Sequence, residues 1–128
     1  MAGGADTRPL SPHVSVWRWH VTMFTSIGHR VTGVVLYLGA LALVGWLVLV
    51  AMGPDAYDAV FGALPAWLIW TALYAVTAAV GFHAANGVRH LAFDIGKGFQ
   101  PKTAGFSAWL VILVALAAPV GLYLLLHR

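Results

Sequence analysis

The sequence of 128 residues is 61% hydrophobic and only 9% charged, and its mean hydropathy is +0.86. A soluble domain of this length exposes far more charge, because a small globule has a large surface to solvate, so the composition predicts an integral membrane protein with one domain, residues 1–128. The net charge of +3 comes from dispersed basic residues that form no nucleic-acid-binding patch, and the absence of cysteine excludes disulfides and a cysteine-ligated iron–sulfur cluster held by this chain alone.

The chain begins with a segment, residues 1–30, that we expect on the cytoplasmic or matrix side of the membrane. Polar and basic residues are too frequent within 8–30 for a membrane span: Arg18, His20, Ser26 and His29. This part is therefore predicted to lie in the membrane interface, before the first helix enters the bilayer. No secretory signal is visible, so insertion is expected to rely on the first spanning helix.

Three apolar runs are long enough to cross a bilayer as helices, which takes about 20 residues each. They cover residues 31–52, 65–91 and 106–126. Turn-forming residues in 53–58 and 94–105 separate the runs. The fold class is therefore predicted to be all-α, with three transmembrane helices preceded by an interfacial segment. Pro119 lies inside the third run, where a lipid-embedded helix can tolerate it.

The basic residues predict how the chain is oriented in the membrane. Most lie before the first run or around the second connection: Arg8, Arg18, Arg30, Arg89, Lys97 and Lys102. The first connection has no lysine or arginine. By the positive-inside tendency, the N-terminus and second connection face the cytoplasm or matrix, and the C-terminus faces the opposite compartment.

His83 is an ionisable residue inside the second run, about 10 Å beyond His90 at 1.5 Å per residue. Such a residue marks a cofactor or proton pathway, or it forms an interhelical hydrogen bond, and His83 alone does not separate these interpretations. Its helical face also carries Gly87, His90 and Asp94. Gly87 would let a planar group approach the backbone, and Arg89 and His90 would meet haem propionates. A proton relay could also use the two histidines, but Gly87 and Arg89 favour haem.

The start of the first helix places further polar groups at the same predicted depth. Ser26 and Arg30 share a helical face, and His29 lies on the same turn. We expect His29 and Arg30 to converge with Arg89 and His90. Anchoring of helix ends by the positive-inside tendency would explain one cation such as Arg89, but not the whole set. Anionic haem propionates would accept hydrogen bonds from several of these side chains together.

A six-coordinate bis-histidine haem needs a second axial ligand beside His83. His90 lies on the same helical face about 10 Å away, and His29 is predicted at the wrong depth. The remaining histidines are expected to be interfacial or terminal: His13, His20 and His127. The second ligand is therefore expected from another chain, which makes this protein half of a haem site.

Two motifs resemble those of the succinate dehydrogenase cytochrome b556 subunit, the membrane anchor of succinate:quinone oxidoreductase (respiratory complex II). The first is Arg-Pro-Leu-Ser-Pro-His at 8–13, followed by Ser-Ile-Gly-His-Arg-Val-Thr at 26–32. The second is His-Ala-Ala-Asn-Gly-Val-Arg-His-Leu-Ala-Phe-Asp at 83–94. The two motifs and three spans cover nearly the whole chain.

The resemblance implies an anchor that binds haem b together with a second small anchor subunit and docks an iron–sulfur and a flavoprotein subunit. His83 matches the axial ligand to the haem iron, and His29, Arg30 and His90 match positions near the propionates. Ser26 and Arg30 match the quinone-site pair, which would hydrogen-bond ubiquinone and stabilise its reduced forms. Succinate would be oxidised on the flavoprotein, and electrons would reach ubiquinone through iron–sulfur centres. The resemblance implies a location in a bacterial or mitochondrial inner membrane. The chain would be the anchor subunit of an enzyme complex and would carry no dehydrogenase site itself.

Three alternatives stay open at the level of sequence. The first is the anchor of a quinol:fumarate reductase, which runs the same reaction backward. The second is a haem-free membrane module that uses His83 and His90 as a proton relay or in assembly. The third is a purely structural anchor in which the histidines hold the helices together.

Overall fold

The computed structural model describes residues 16–128, which form four helices. They are α1 (Val21–Met52), α2 (Pro54–Phe61), α3 (Ala66–Asp94) and α4 (Pro101–Leu126). The helices α1, α3 and α4 are long and apolar enough to cross a membrane. Residues 16–128 contain no strand, so the predicted all-α architecture with three spans is confirmed over this range.

The first helix begins earlier than the apolar run that predicted it. α1 starts at Val21 instead of residue 31, so the part of the expected interfacial segment from Val21 onward is helical. His20 caps this start, because its side-chain Nδ1 accepts a hydrogen bond from the Thr22 N–H at 3.4 Å. Thr25 is fully buried inside the bundle. Polar residues therefore occur in this first part of α1 because some of them face other helices and not lipid.

The connections are shorter and more ordered than the sequence suggested. Gly53 adopts φ +103°, which a residue with a side chain rarely tolerates, and Pro54 then opens the short helix α2. α3 ends in a Schellman motif: the Gly96 N–H donates to Phe93 O and the Lys97 N–H to Ala92 O, with φ +76° at Gly96. α4 already begins at Pro101 and continues through Pro119.

The three long helices pack into one bundle, in which each contacts the other two and α3 makes the most extensive contacts. α3 and α4 approach closely at Gly81, where an added Cβ would lie 2.9 Å from Ala118 Cβ and 3.2 Å from Val114 O. Small residues at such crossings let transmembrane helices pack through their backbones. The buried apolar core is small: Ala79, Phe82, Ala108 and Val111. Most other large apolar side chains are exposed on the isolated chain and are available to lipid or to partner subunits.

Candidate functional site

Three imidazole rings gather where α1 crosses α3. His29 of α1 stacks on His83 of α3, with ring centroids 3.9 Å apart and planes 12° from parallel. The His90 ring lies 5.1 Å from the His29 ring, tilted by 50°. The predicted grouping of these histidines is therefore present in the fold, and His29 forms its centre.

His83 is oriented by two oxygen atoms of α1. Its Nδ1 lies 3.2 Å from the Thr32 hydroxyl and 3.2 Å from the His29 carbonyl oxygen. Within residues 16–128 the hydrogen bonds of His83 are made through Nδ1, which leaves Nε2 available to a ligand. Gly33 admits the ring, since an added Cβ there would lie 3.3 Å from His83 Cε1. Thr32 and Gly33 were not singled out from the sequence, although their positions three and four residues after His29 place them beside it on the helix.

The position of His29 differs from the prediction. The expectation placed His29 level with His90 and at the wrong depth to accompany His83, yet its ring lies against His83 and also near His90. The reason is geometric: a side chain from a neighbouring helix can lie between two residues that are two turns apart. The expectation of a ligand from a second chain has a different basis in this arrangement. Two rings stacked face to face leave no room for a haem plane between them, so His29 and His83 in this arrangement cannot ligate opposite sides of one iron.

A buried ring nitrogen of His29 has no partner in this arrangement. His29 Nδ1 is inaccessible to solvent and forms no hydrogen bond with the described residues. An unpaired buried polar atom costs about 1–3 kcal/mol, and residues 16–128 supply no partner for this one. No group of three or more His, Cys, Asp or Glu side chains in 16–128 is arranged to hold a metal ion.

Gly87, expected to give clearance for a planar group, lies beside the imidazole cluster. An added Cβ at Gly87 would lie 3.9 Å from His29 Cε1, which is ordinary van der Waals contact. The space over Gly87 is therefore occupied by the edge of the His29 ring. Of the other histidines, His20 caps α1 and His127 stacks on Tyr123 at the end of α4. His13 lies outside the described residues, as does the first part of the N-terminal motif.

Arg89 does not join the histidines, contrary to the expectation from sequence. It is only 7% exposed and faces α1 and α4, because adjacent residues such as Arg89 and His90 point to different sides of a helix. Its guanidinium donates to four neutral oxygens: Ser107 Oγ at 3.0 Å, and Thr25 Oγ1, Asn86 Oδ1 and Ala104 O at 3.3 Å each. The Asn86 amide in turn donates to Thr25 O at 3.1 Å. α3 therefore has two polar faces, one with imidazoles and one with a structural arginine.

Ser26 and Arg30 lie one turn apart on α1, on either side of His29 in sequence. Ser26 is half-buried and Arg30 is exposed. Within the described residues, the side-chain hydrogen bonds of α1 and its cap are made by His20, Thr22, Thr25 and Thr32. Within residues 16–128, neither the Ser26 hydroxyl nor the Arg30 guanidinium is hydrogen-bonded; Ser26 lies three residues before His29 on α1, and Arg30 directly follows it.

Residues 5–122 match the family of succinate dehydrogenase/fumarate reductase transmembrane subunits. The chain belongs to this family. Succinate dehydrogenase cytochrome b556 subunits are 35% identical to it in Rickettsia felis over 112 residues, covering 87% of this chain and 86% of the relative, and in Rickettsia conorii over 119 residues, covering 92% of each. The mitochondrial cytochrome b560 subunit of Sus scrofa is 36% identical over 120 residues, covering 91% of this chain and 70% of the relative.

Family membership confirms the resemblance that the two motifs indicated. The relatives are named as cytochrome b subunits of succinate dehydrogenase, an enzyme complex, so they are transmembrane parts of a larger assembly. In this transmembrane subunit, the cluster of His29, His83 and His90 is the part of the described chain whose chemistry fits a cytochrome, because neutral imidazole is a ligand of haem iron.

Proposed function

We propose that this chain is the membrane-anchor cytochrome b subunit of a succinate dehydrogenase. It supplies one axial ligand of haem b, His83, to a site shared with a second small anchor subunit. It also forms part of the site where ubiquinone receives electrons that leave succinate through a flavoprotein and an iron–sulfur subunit. The complex lies in a bacterial or mitochondrial inner membrane, with the N-terminus of this chain on the cytoplasmic or matrix side.

The observation that carries the proposal is the imidazole cluster inside the membrane-spanning bundle. Ionisable residues at such depth are costly and generally functional. Here the His83 ring is fixed through Nδ1, and a neighbouring buried nitrogen on His29 has no partner among the residues that the structure describes. Haem b fits this donor set: His83 Nε2 would hold the iron, and His29, His90 and Arg30 would meet the propionates. When bound, haem supplies a one-electron carrier within the membrane.

The second part of the proposal assigns Ser26 and Arg30 to quinone. Ser26 lies three residues before His29 on α1 and Arg30 directly follows it, and among the described residues neither side chain holds the bundle together by a hydrogen bond. The Ser26 hydroxyl can donate a hydrogen bond to a quinone oxygen. The Arg30 guanidinium can stabilise the negative charge that develops as the quinone is reduced, since charge-assisted hydrogen bonds are the stronger kind.

The haem assignment is tested by His83→Ala, with His127→Ala as the matched control, in the complex purified from membranes in mild detergent. Reduced-minus-oxidised spectra should lose the b-type band for His83→Ala and keep it for His127→Ala, whose ring stacks on Tyr123 and lies 3.0 Å from the Tyr123 carbonyl oxygen. A wild-type band in His83→Ala would refute the assignment. A wild-type complex without any b-type band would favour the proton-relay alternative.

The quinone assignment is tested by Ser26→Ala and Arg30→Ala, with Arg128→Ala as a control that also removes an exposed arginine. Reduction of quinone by succinate should fall about tenfold or more, because a hydrogen bond to a charged group is worth about 1.5–3 kcal/mol. Reduction of a soluble dye that takes electrons upstream of the membrane should persist, which shows that the complex is assembled. Unchanged quinone reduction in both variants would support a structural anchor instead.

The comparisons support one direction of the reaction. The family includes anchors of both succinate dehydrogenase and fumarate reductase, but the relatives of Rickettsia and of mammals are named for succinate dehydrogenase. We therefore favour succinate oxidation. Ubiquinone and menaquinone titrations of the purified complex test this choice, and efficient fumarate reduction by menaquinol would contradict it.

A further inference from the structure

The hydrogen bonds of His83 determine which of its ring nitrogens carries a proton. One partner of Nδ1 is the His29 carbonyl oxygen at 3.2 Å, and a carbonyl oxygen can only accept. A hydrogen bond between these atoms therefore requires a proton on Nδ1. In the neutral ring, Nε2 is then the nitrogen with the free lone pair.

Thr32 leads to the same tautomer by an independent route. Its hydroxyl has one proton, and two carbonyl oxygens compete for it: Gly28 O at 2.8 Å and His29 O at 3.0 Å. Because the proton is committed to the backbone, the hydroxyl oxygen acts as an acceptor toward His83 Nδ1 at 3.2 Å. Both oxygens beside Nδ1 thus accept from the same N–H.

We propose that Thr32 is a positioning residue that, together with the His29 carbonyl, keeps the Nδ1–H of His83 hydrogen-bonded, with Nε2 directed to the haem iron. This inference rests on the proposed function, in which His83 is an axial ligand. A hydrogen-bond acceptor at the ring nitrogen that does not bind the metal orients the imidazole and raises its basicity. Loss of such a partner typically costs about 10–100-fold in metal affinity. Gly33 supports the arrangement by letting the ring lie against α1.

The test is Thr32→Val, which replaces the hydroxyl by a methyl group of similar volume, with Thr32→Ser as the control that keeps the hydroxyl. Both variants are measured in the assembled complex. Thr32→Val should release haem to an excess of apomyoglobin about tenfold faster. It should also raise the haem midpoint potential by up to about 59 mV, the one-electron equivalent of a tenfold change, because a less basic ligand stabilises the oxidised iron less. Thr32→Ser should match the wild type in both measurements.

The outcomes separate this inference from the haem assignment. If His83→Ala loses the b-type band but Thr32→Val keeps wild-type haem release and potential, the positioning role is wrong and the ligand assignment stands. If Thr32→Val and Thr32→Ser shift equally, keeping the hydroxyl makes no difference, so altered packing at position 32 is responsible, which also overturns the inference. Should Thr32→Val fail to assemble, Thr32→Ala, which also lacks the hydroxyl, is expected to show the same two shifts, and wild-type values would contradict them.

Discussion

Arg89 shows how a single residue can hold a membrane bundle together without an ion pair. Its charge is buried between three helices, and each of its four hydrogen-bond acceptors is a neutral oxygen. The guanidinium also lies over the Phe93 ring, 4.6 Å from its centroid, where a cation is attracted by the ring face. Together these contacts offset part of the cost of removing the charge from water.

Replacing Arg89 by methionine should destabilise the bundle. The change leaves Asn86 Oδ1 and the hydroxyls of Thr25 and Ser107 with fewer partners inside the protein, at about 1–3 kcal/mol for each group that stays unsatisfied. The expected result is a lower thermal midpoint of the purified complex, with the haem spectrum of the remaining folded protein unchanged. Arg128→Met is the control, since Arg128 is exposed and its loss should change stability by less than about 0.5 kcal/mol. A changed spectrum with unchanged stability would instead indicate that Arg89 serves the haem.

At the residue scale, the spacing of residues along α3 predicted which of them share a face better than it predicted which side chains of α1 would meet that face. The 3.6-residue period correctly placed His83, Gly87 and His90 on one face. It could not show that His29 would lie between the two histidines, because the vertical offset of neighbouring helices depends on packing. The same period places Asn86 and Arg89 together on another face of α3. The sequence did not indicate the role of this face, because that role depends on oxygen atoms of α1 and α4 that only the fold brings near.

Among the elements, α3 and α4 depend on a close backbone approach at Gly81. Gly81→Ala should force them apart, because the added Cβ would meet Ala118 Cβ at 2.9 Å and the Val114 carbonyl at 3.2 Å, and backbone cannot move aside cheaply. Overpacking of this kind costs about 1–3 kcal/mol, so the thermal midpoint of the complex should fall. Gly121→Ala in α4 is the matched control, since an added Cβ there meets no atom within 4 Å. An equal loss in both variants would mean that helix crowding is not the cause.

The existence and order of the long helices could be predicted from hydropathy, but their ends could not. Hydropathy placed the start of the first span at residue 31, directly after Arg30, whereas α1 begins at Val21 after the His20 cap. The missing information is tertiary: a polar side chain such as Thr25 is tolerated in a helix when it faces another helix, and the sequence does not say what it faces. The turn residues at 53–58 likewise predicted a break but not α2, since Pro54 can open a helix as well as end one.

At the scale of the whole molecule, the proposed haem site requires a ligand from a partner chain. The stacking of His29 on His83 uses the one histidine that could have approached His83 from within the described bundle. We therefore expect the chain to retain haem at least tenfold more weakly when it is expressed without its partner anchor, because one axial bond is missing. Haem content per chain in detergent, with and without the co-expressed partner, measures this. Equal retention would show that one chain provides both ligands.

The membrane orientation can be tested with unusual clarity because the chain has no cysteine. The positive-inside tendency predicts that the segment around Asp58 and the C-terminus at Arg128 face away from the cytoplasm or matrix, and that Lys97 faces it. All three residues are exposed, so single cysteines can replace them. In intact spheroplasts, a membrane-impermeant maleimide should label Asp58→Cys and Arg128→Cys, and label Lys97→Cys only after the membrane is opened.

The unsubstituted chain is the background control for this labelling, since it offers no thiol. The reverse pattern would contradict the orientation and would place the imidazole cluster near the opposite surface. Because α3 ends at Asp94, His90 lies about one turn from the end of its helix, on the same side as Lys97. The labelling therefore also decides whether the proposed quinone residues face the compartment where an iron–sulfur partner could deliver electrons. An inverted chain would leave Ser26 and Arg30 on the wrong side of the membrane for that transfer, so the orientation and the proposed electron path must agree.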